Sequence, residues 1–223
     1  MAHSIFIYNI LPSVPQLASN VYNTLQSLPD DETNFFITQL INSNELSGEH
    51  IIVQAVNETY YDATKRTFEQ RKAQKASIIY FYILNNRLEI WGNKKNVNRL
   101  VFTLSTAFQN RMSINAVEIS IEDVLNRLHN YKAKVSKVCF EDFLFTEDIV
   151  GNFTVDLSSH GDAFSVLNKY QDKISRMTVV FSYNEIAWKI CISSKGAIMV
   201  YKSRDAFDDD ALDILHAILL SEV

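Results

Sequence analysis

A chain of 223 residues that is 47% hydrophobic and 21% charged has globular composition and enough apolar side chains to bury a core. Three prolines and five glycines leave no flexible linker or low-complexity tract, so one packed α+β body over residues 1–223 is expected, with halves at 1–116 and 117–223 as its natural division. The net charge of -5 opposes a general polyanion binder, because non-specific affinity for phosphates rises with the cations offered to them.

Cys139 and Cys191 fit no metal-ligand or C-x-x-C spacing and are expected as free, buried thiols, which suits a reducing compartment. No apolar run reaches the roughly 18 residues of a membrane span. The run from Ile5 to Leu11 lacks the basic lead-in and cleavage site of a signal peptide. A cytoplasmic chain with no membrane partner is the expectation, and the Asn-x-Thr matches at Asn57 and Asn152 are then chance.

From the N-terminus, Ser4 to Leu11 reads as a strand apolar on both faces and ended by Pro12. Leu17, Val21, Leu25 and Leu28 recur at helical spacing behind Pro15. After the break at Pro29, the apolar cluster between Thr33 and Ile41 predicts a short helix or a turn, and Asn42 to Gly48 a loop. Glu49 to Tyr61 alternates as a strand does. The run from Lys65 to Lys75 then offers five cations against one acid and is expected to be solvated, either as a surface helix or, the slightly favoured reading, as the start of a long strand that becomes buried at Ile78.

Ile78 to Leu84 is apolar on both faces, as a covered strand would be, and Asn85-Asn86 suits a two-residue hairpin turn. Arg87 to Trp91 alternates with Leu88 and Ile90 inward. Val97, Leu100, Val101, Leu104, Ala107 and Phe108 make a helical stripe. Ser120 and Asp123 open a second helix carrying Ile121, Val124, Leu125 and Leu128. Lys134 to Phe145 and Gly151 to Leu157 suggest a meander, with Val135, Lys137 and Cys139 on one face against Ser136, Val138 and Phe140. A helix capped by Ser159 or Asp162 carries Phe164, Leu167 and Tyr170, and Arg176 to Tyr183 is again strand-like. Ile186 to Ile192, a turn at Ser193 to Gly196, and Ile198 to Tyr201 form a last hairpin before a helix starting near Phe207.

Residues 77–108 and 186–220 thus share one order, strand, turn, strand, helix. Two such units predict a curved antiparallel sheet with the helices packed on one side. That outline is similar to the saddle of the TATA-binding-protein-like folds. The resemblance covers only the two units, rests on no residue motif and implies no function.

Phosphate-loop, nucleophile-elbow and zinc signatures are absent. His3, His50, His129, His160 and His216 are dispersed, and Asp213 with His216, one turn apart, lacks a third group. Asp205, Asp208, Asp209, Asp210 and Asp213, or Glu141, Asp142, Glu147 and Asp148, would serve a metal-dependent nuclease; acids in a first helical turn also simply complement the helix dipole. No catalytic residue, metal or cofactor is expected. Tyr80, Tyr82 and Trp91 share a sheet face, and Tyr201 takes the place of Trp91 in the second unit. The leading expectation is a non-enzymatic subunit or adaptor that binds a protein partner, or itself, through these aromatics. The alternative is single-stranded nucleic acid held by them and by Arg71, Lys72, Lys75, Arg87, Lys94 and Lys95.

Overall fold

The computed structural model describes residues 3–29, 31–128, 133–146, 149–161, 163–183, 186–201 and 209–219. With 53% strand against 25% helix among the described residues, the protein is mostly antiparallel sheet. No helix among the described residues is long and apolar enough to cross a membrane. Strand β1 (His3–Leu11) opens the chain, and its Ile5, Phe6, Ile7, Tyr8 and Ile10 are all buried, so both faces are covered. The chain forms two compact units, one of Asn9–Ile114 and one of Met1–Tyr8 with Asn115–Val223.

In the unit Asn9–Ile114, helix α1 (Leu17–Gln26) is followed by β2 (Asn34–Asn42), β3 (Glu45–Asp62), β4 (Thr67–Leu84), β5 (Arg87–Trp91) and helix α2 (Lys94–Ala107). The strands pair antiparallel in the order β2-β3-β4-β5. Asn85 turns β4 into β5 with φ 55°, which asparagine tolerates better than other side chains. Asn93 caps α2 by accepting from the Asn96 N–H at 3.0 Å. Leu46 and Ile52 of β3, Ile79, Phe81 and Ile83 of β4, and Leu88 and Ile90 of β5 share one buried face. Val97, Leu100 and Leu104 of α2 are buried with them, and α1 lies along β2 and β3 with Gln26 donating to Thr38 at 3.1 Å.

Two expectations are corrected here. Thr33 to Ile41 is neither helix nor turn: from Asn34 on it is part of the edge strand β2, paired through Phe35↔Ile51 and Phe36↔His50. Asn42 to Gly48 is not a loop, because Glu45 already begins β3 and only Ser43-Asn44 turn the chain. Asn42 Oδ1 accepts from the Asn44 N–H at 2.9 Å, so the turn is built by an asparagine side chain without a glycine.

The second unit contains β6 (Ser113–Ala116, all but its first two residues), α3 (Ile121–Leu128), β7 (Lys134–Thr146), β8 (Ile149–Asp156), α4 (Ala163–Lys169), a 3-10 turn at Gln171–Lys173, β9 (Ile174–Tyr183), β10 (Ile186–Ser193), β11 (Ala197–Val200) and α5 (Asp209–Leu219). Its strands run β1-β11-β10-β9-β7-β8. Val135, Val138 and Phe140 are buried with Met177, Val179, Phe181, Ile190, Ile192, Ile198 and Val200. The strict alternation expected for β7 fails because a bulge between Val135 and Lys137 puts both Val135 and Val138 inward. Ser120 caps α3 as expected, its Oγ accepting from the Asp123 N–H at 3.2 Å, and Arg127 of α3 donates to the Ile218 carbonyl of α5. The expected starts at Asp162 and Phe207 lie outside the described residues. Both cysteines are free and half-buried, not fully buried.

Candidate functional site

The two faces of β3 and β4 follow from their register. Because His50 opposes Ile79 and Gly48 opposes Phe81, the even positions of β3 and odd positions of β4 face the core, and the others face out. Tyr80 and Tyr82 are therefore outward, and the pairing of Tyr80 with Trp91 and of Tyr82 with Glu89 puts Trp91 and Glu89 on that same side. The four residues are not equally open. Trp91 is 2% exposed and donates its indole N–H to Glu89, itself buried, while Tyr80 and Tyr82 are half-buried and the Tyr82 hydroxyl donates to Glu45. What this outer face exposes lies further from β5: Phe35 and Ile37 of β2, and Ile78 of β4 at 47% exposure, with Ile51 and Val53 half-buried between them.

The same face continues onto a two-stranded arm. Pairing of β2 with β3 ends at Asn34↔Ile52 and of β5 with β4 at Tyr80↔Trp91, yet β3 and β4 stay paired from Val53↔Ala76 out to Asp62↔Thr67. At about 3.3 Å per residue the arm is roughly 30 Å long. Most of its side chains are exposed and none is buried. On its outer face, Tyr61 and Phe68 sit at the tip with ring centroids 5.3 Å apart, and Phe68 is 75% exposed. On its other face, Arg71 pairs with Glu58 at 3.1 Å and lies over the Tyr60 ring at 5.5 Å, while the Tyr60 hydroxyl donates to Glu69 at 2.9 Å. Hydrogen bonds from Lys65 and Tyr60 hold the Glu69 carboxyl below its ordinary pKa.

The cations expected to track a nucleic-acid backbone are not gathered on one surface of this unit. Arg71 and Lys75 point to one side of the arm and Lys72 to the other, Arg87 is half-buried at the start of β5, and Lys94 and Lys95 are exposed in the first turn of α2. Tyr201 belongs to the second unit, where it and Met199 are exposed, unlike Trp91 and Glu89 of the first. Among the acids, Asp205, Asp208, Glu147 and Asp148 lie outside the described residues, as do the side chains of Asp209 and Asp213. No group of three or more His, Cys, Asp or Glu able to hold a metal occurs among the described residues.

The exposed apolar patch on β2 to β4 was not anticipated. Its signal was present in Phe35, Ile37 and Ile78, but only an edge strand at Thr33 to Ile41 brings them together. No protein-family model matches the chain, and no curated protein is similar to it.

Proposed function

We propose that this chain is a non-enzymatic assembly protein that associates through the outer face of β2 to β4 and its arm, and that the partner it takes there is a second copy of itself. One observation carries the reading: the outer face runs from apolar at the base (Phe35, Ile37, Ile51, Ile78) through polar (Asn57, Thr59, Gln70, Lys72, Gln74) to apolar at the tip (Tyr61, Phe68). A ribbon of only two strands is marginal in water, and ordering each residue costs about 1–2 kcal/mol, so a bare arm is best accounted for by contacts made on assembly.

The pattern is self-complementary. Two arms laid antiparallel, face to face about a two-fold axis, put Tyr61 and Phe68 of one copy on Ile51 and Ile78 of the other and the reverse. The same register sets Thr59 over Val53, and Lys72 opposite Gln74 instead of against its own equivalent. Arm and base together offer on the order of 600–800 Å² per copy, which reaches the roughly 1,200 Å² total of a specific interface. The finer reading of the two strand-turn-strand-helix units as a TATA-binding-protein-like outline adds no function to this.

The test is the native mass of the full chain by sedimentation equilibrium. A dimer is expected for the wild type, and a monomer with unchanged circular dichroism for Tyr61→Glu with Phe68→Glu and, separately, for Ile78→Glu. A wild-type monomer across the accessible concentration range, or a dimer untouched by both changes, would overturn the proposal.

A further inference from the structure

The second unit holds a groove of about 730 Å³ between β7, β9 and β10 and the segment after β8. We propose that this groove is a binding site for a nucleoside phosphate, free or at the end of a single strand. Register builds it. Lys134 opposes Val180, Val180 opposes Lys189, and the Tyr201 N–H reaches the Lys189 carbonyl at 3.3 Å, so Lys134, Val180, Lys189 and Tyr201 form one row across four strand positions. At about 4.8 Å per strand the two lysine Cα atoms are roughly 10 Å apart, with the Val180 side chain as an apolar floor between them. Lys137 joins them from the next row, opposite Thr178.

Charge favours an anion there. Lys134, Lys137 and Lys189 are exposed and make no ion pair among the described residues. Among the described residues that line the groove the one carboxylate is Asp156, which opposes Lys137 across β7 and β8 but is turned to its own loop, accepting from the Ser158 hydroxyl at 2.5 Å and the Ser158 N–H at 2.9 Å. These bonds, and then the charges of Lys137 and Lys189, hold it ionised below its ordinary range. Among the described lining residues, three lysines thus face one carboxylate that is already hydrogen-bonded.

The aromatic narrows the ligand. Tyr201 is 48% exposed, and the Lys189 ammonium rests 5.5 Å from its ring centroid. A base stacking on Tyr201 takes the place of that ammonium, which its four-carbon stem can carry toward a phosphate between Lys134 and Lys189. A groove of this volume suits a nucleotide-sized ligand. The rim adds the hydroxyls of Ser136 and Ser159 as neutral hydrogen-bonding groups for a sugar.

The site is separate from the self-association surface, so a failed dimer leaves it standing. Calorimetric titration of the full chain with ATP, AMP, a 5′-phosphorylated oligouridylate and inorganic triphosphate at low salt tests it. Binding of at least one nucleotide or the oligonucleotide is expected, weakening as salt rises. Lys134→Ala and Lys189→Ala should each lose about tenfold, and Tyr201→Ala should weaken the nucleotides but not inorganic triphosphate. Tighter binding of the oligonucleotide than of AMP identifies a strand end, and the reverse a free nucleotide. No binding of any probe, binding indifferent to both lysine changes, or triphosphate binding equal to ATP and indifferent to Tyr201→Ala would overturn it; retained thermal melting of each variant excludes unfolding as the cause.

Discussion

Acidification from neutral pH to about 4 is expected to destabilise the unit Asn9–Ile114 by about 3 kcal/mol through His50 alone. His50 is fully buried on the core face of β3, its ring stacked on Phe36 at 4.4 Å with planes 10° apart, and Phe81 meets Phe36 edge-on. In the neutral ring Nε2–H donates to Asn34 Oδ1, while Nδ1 has no hydrogen-bond partner. A second proton would therefore be buried unpaired. Burial, and then the positive charge of Arg99, lower the pKa from 6.5 to about 4. The unfolded chain binds this proton below about 6.5 and the folded chain does not, so the stability His50 allows is complete above that pH and is lost as pH falls toward about 4. Urea unfolding across this range should show the wild type losing more stability than His50→Gln, which lacks the titrating ring even though it starts less stable for want of the Phe36 stack. Direct NMR titration of His50 near its ordinary value, or equal acid loss in both proteins, would refute the assignment.

The environment of His50 marks the limit of what the sequence can be made to say. The Asn85-Asn86 turn, the Val97-Leu100-Leu104 stripe and the Ser120 cap were legible because each is set by residues close in sequence. Strand β2 was not, since Phe35, Phe36, Ile37, Leu40 and Ile41 satisfy a helical period as well as an edge strand that leaves Ile37 and Ile41 in water. His50 looked like any other dispersed histidine, because only the pairing Phe36↔His50 makes it a buried ring. The lysine groove was illegible for the same reason: Lys134 and Lys189 meet only through Val180, and the bulge in β7 shifts the alternation that would have placed Lys137. The arm was partly legible, as the solvated run Lys65 to Lys75 predicted extended structure, but its partner strand and its lack of a third strand come from the register. What was legible is local; what was missed is cross-strand.

Gly196→Ala is expected to cost about 2–4 kcal/mol, and Gly196→Asn no less. Gly196 ends the turn between β10 and β11 with φ 77°, and its N–H bonds the Ser193 carbonyl at 3.1 Å. A left-handed residue is ordinarily open to asparagine as well as glycine. Here a Cβ would stand 2.2 Å from the Val117 carbonyl oxygen, a backbone atom with little room to retreat. The segment carrying it is tied on both sides, the Val117 N–H to the Ile7 carbonyl at 2.9 Å and the Ile119 N–H to the Ser194 carbonyl at 3.2 Å. Moving that oxygen aside would loosen the grip of residues 117–119 on the turn and on β1, so the cost is steric and comes on top of the backbone preference. The two contributions separate by comparison: if φ alone mattered, asparagine would recover most of the stability lost with alanine. Denaturant unfolding of both variants, with Lys195→Ala as an exposed control on the same turn, decides it, and near-wild-type stability of Gly196→Asn would show that the Val117 carbonyl is not the constraint.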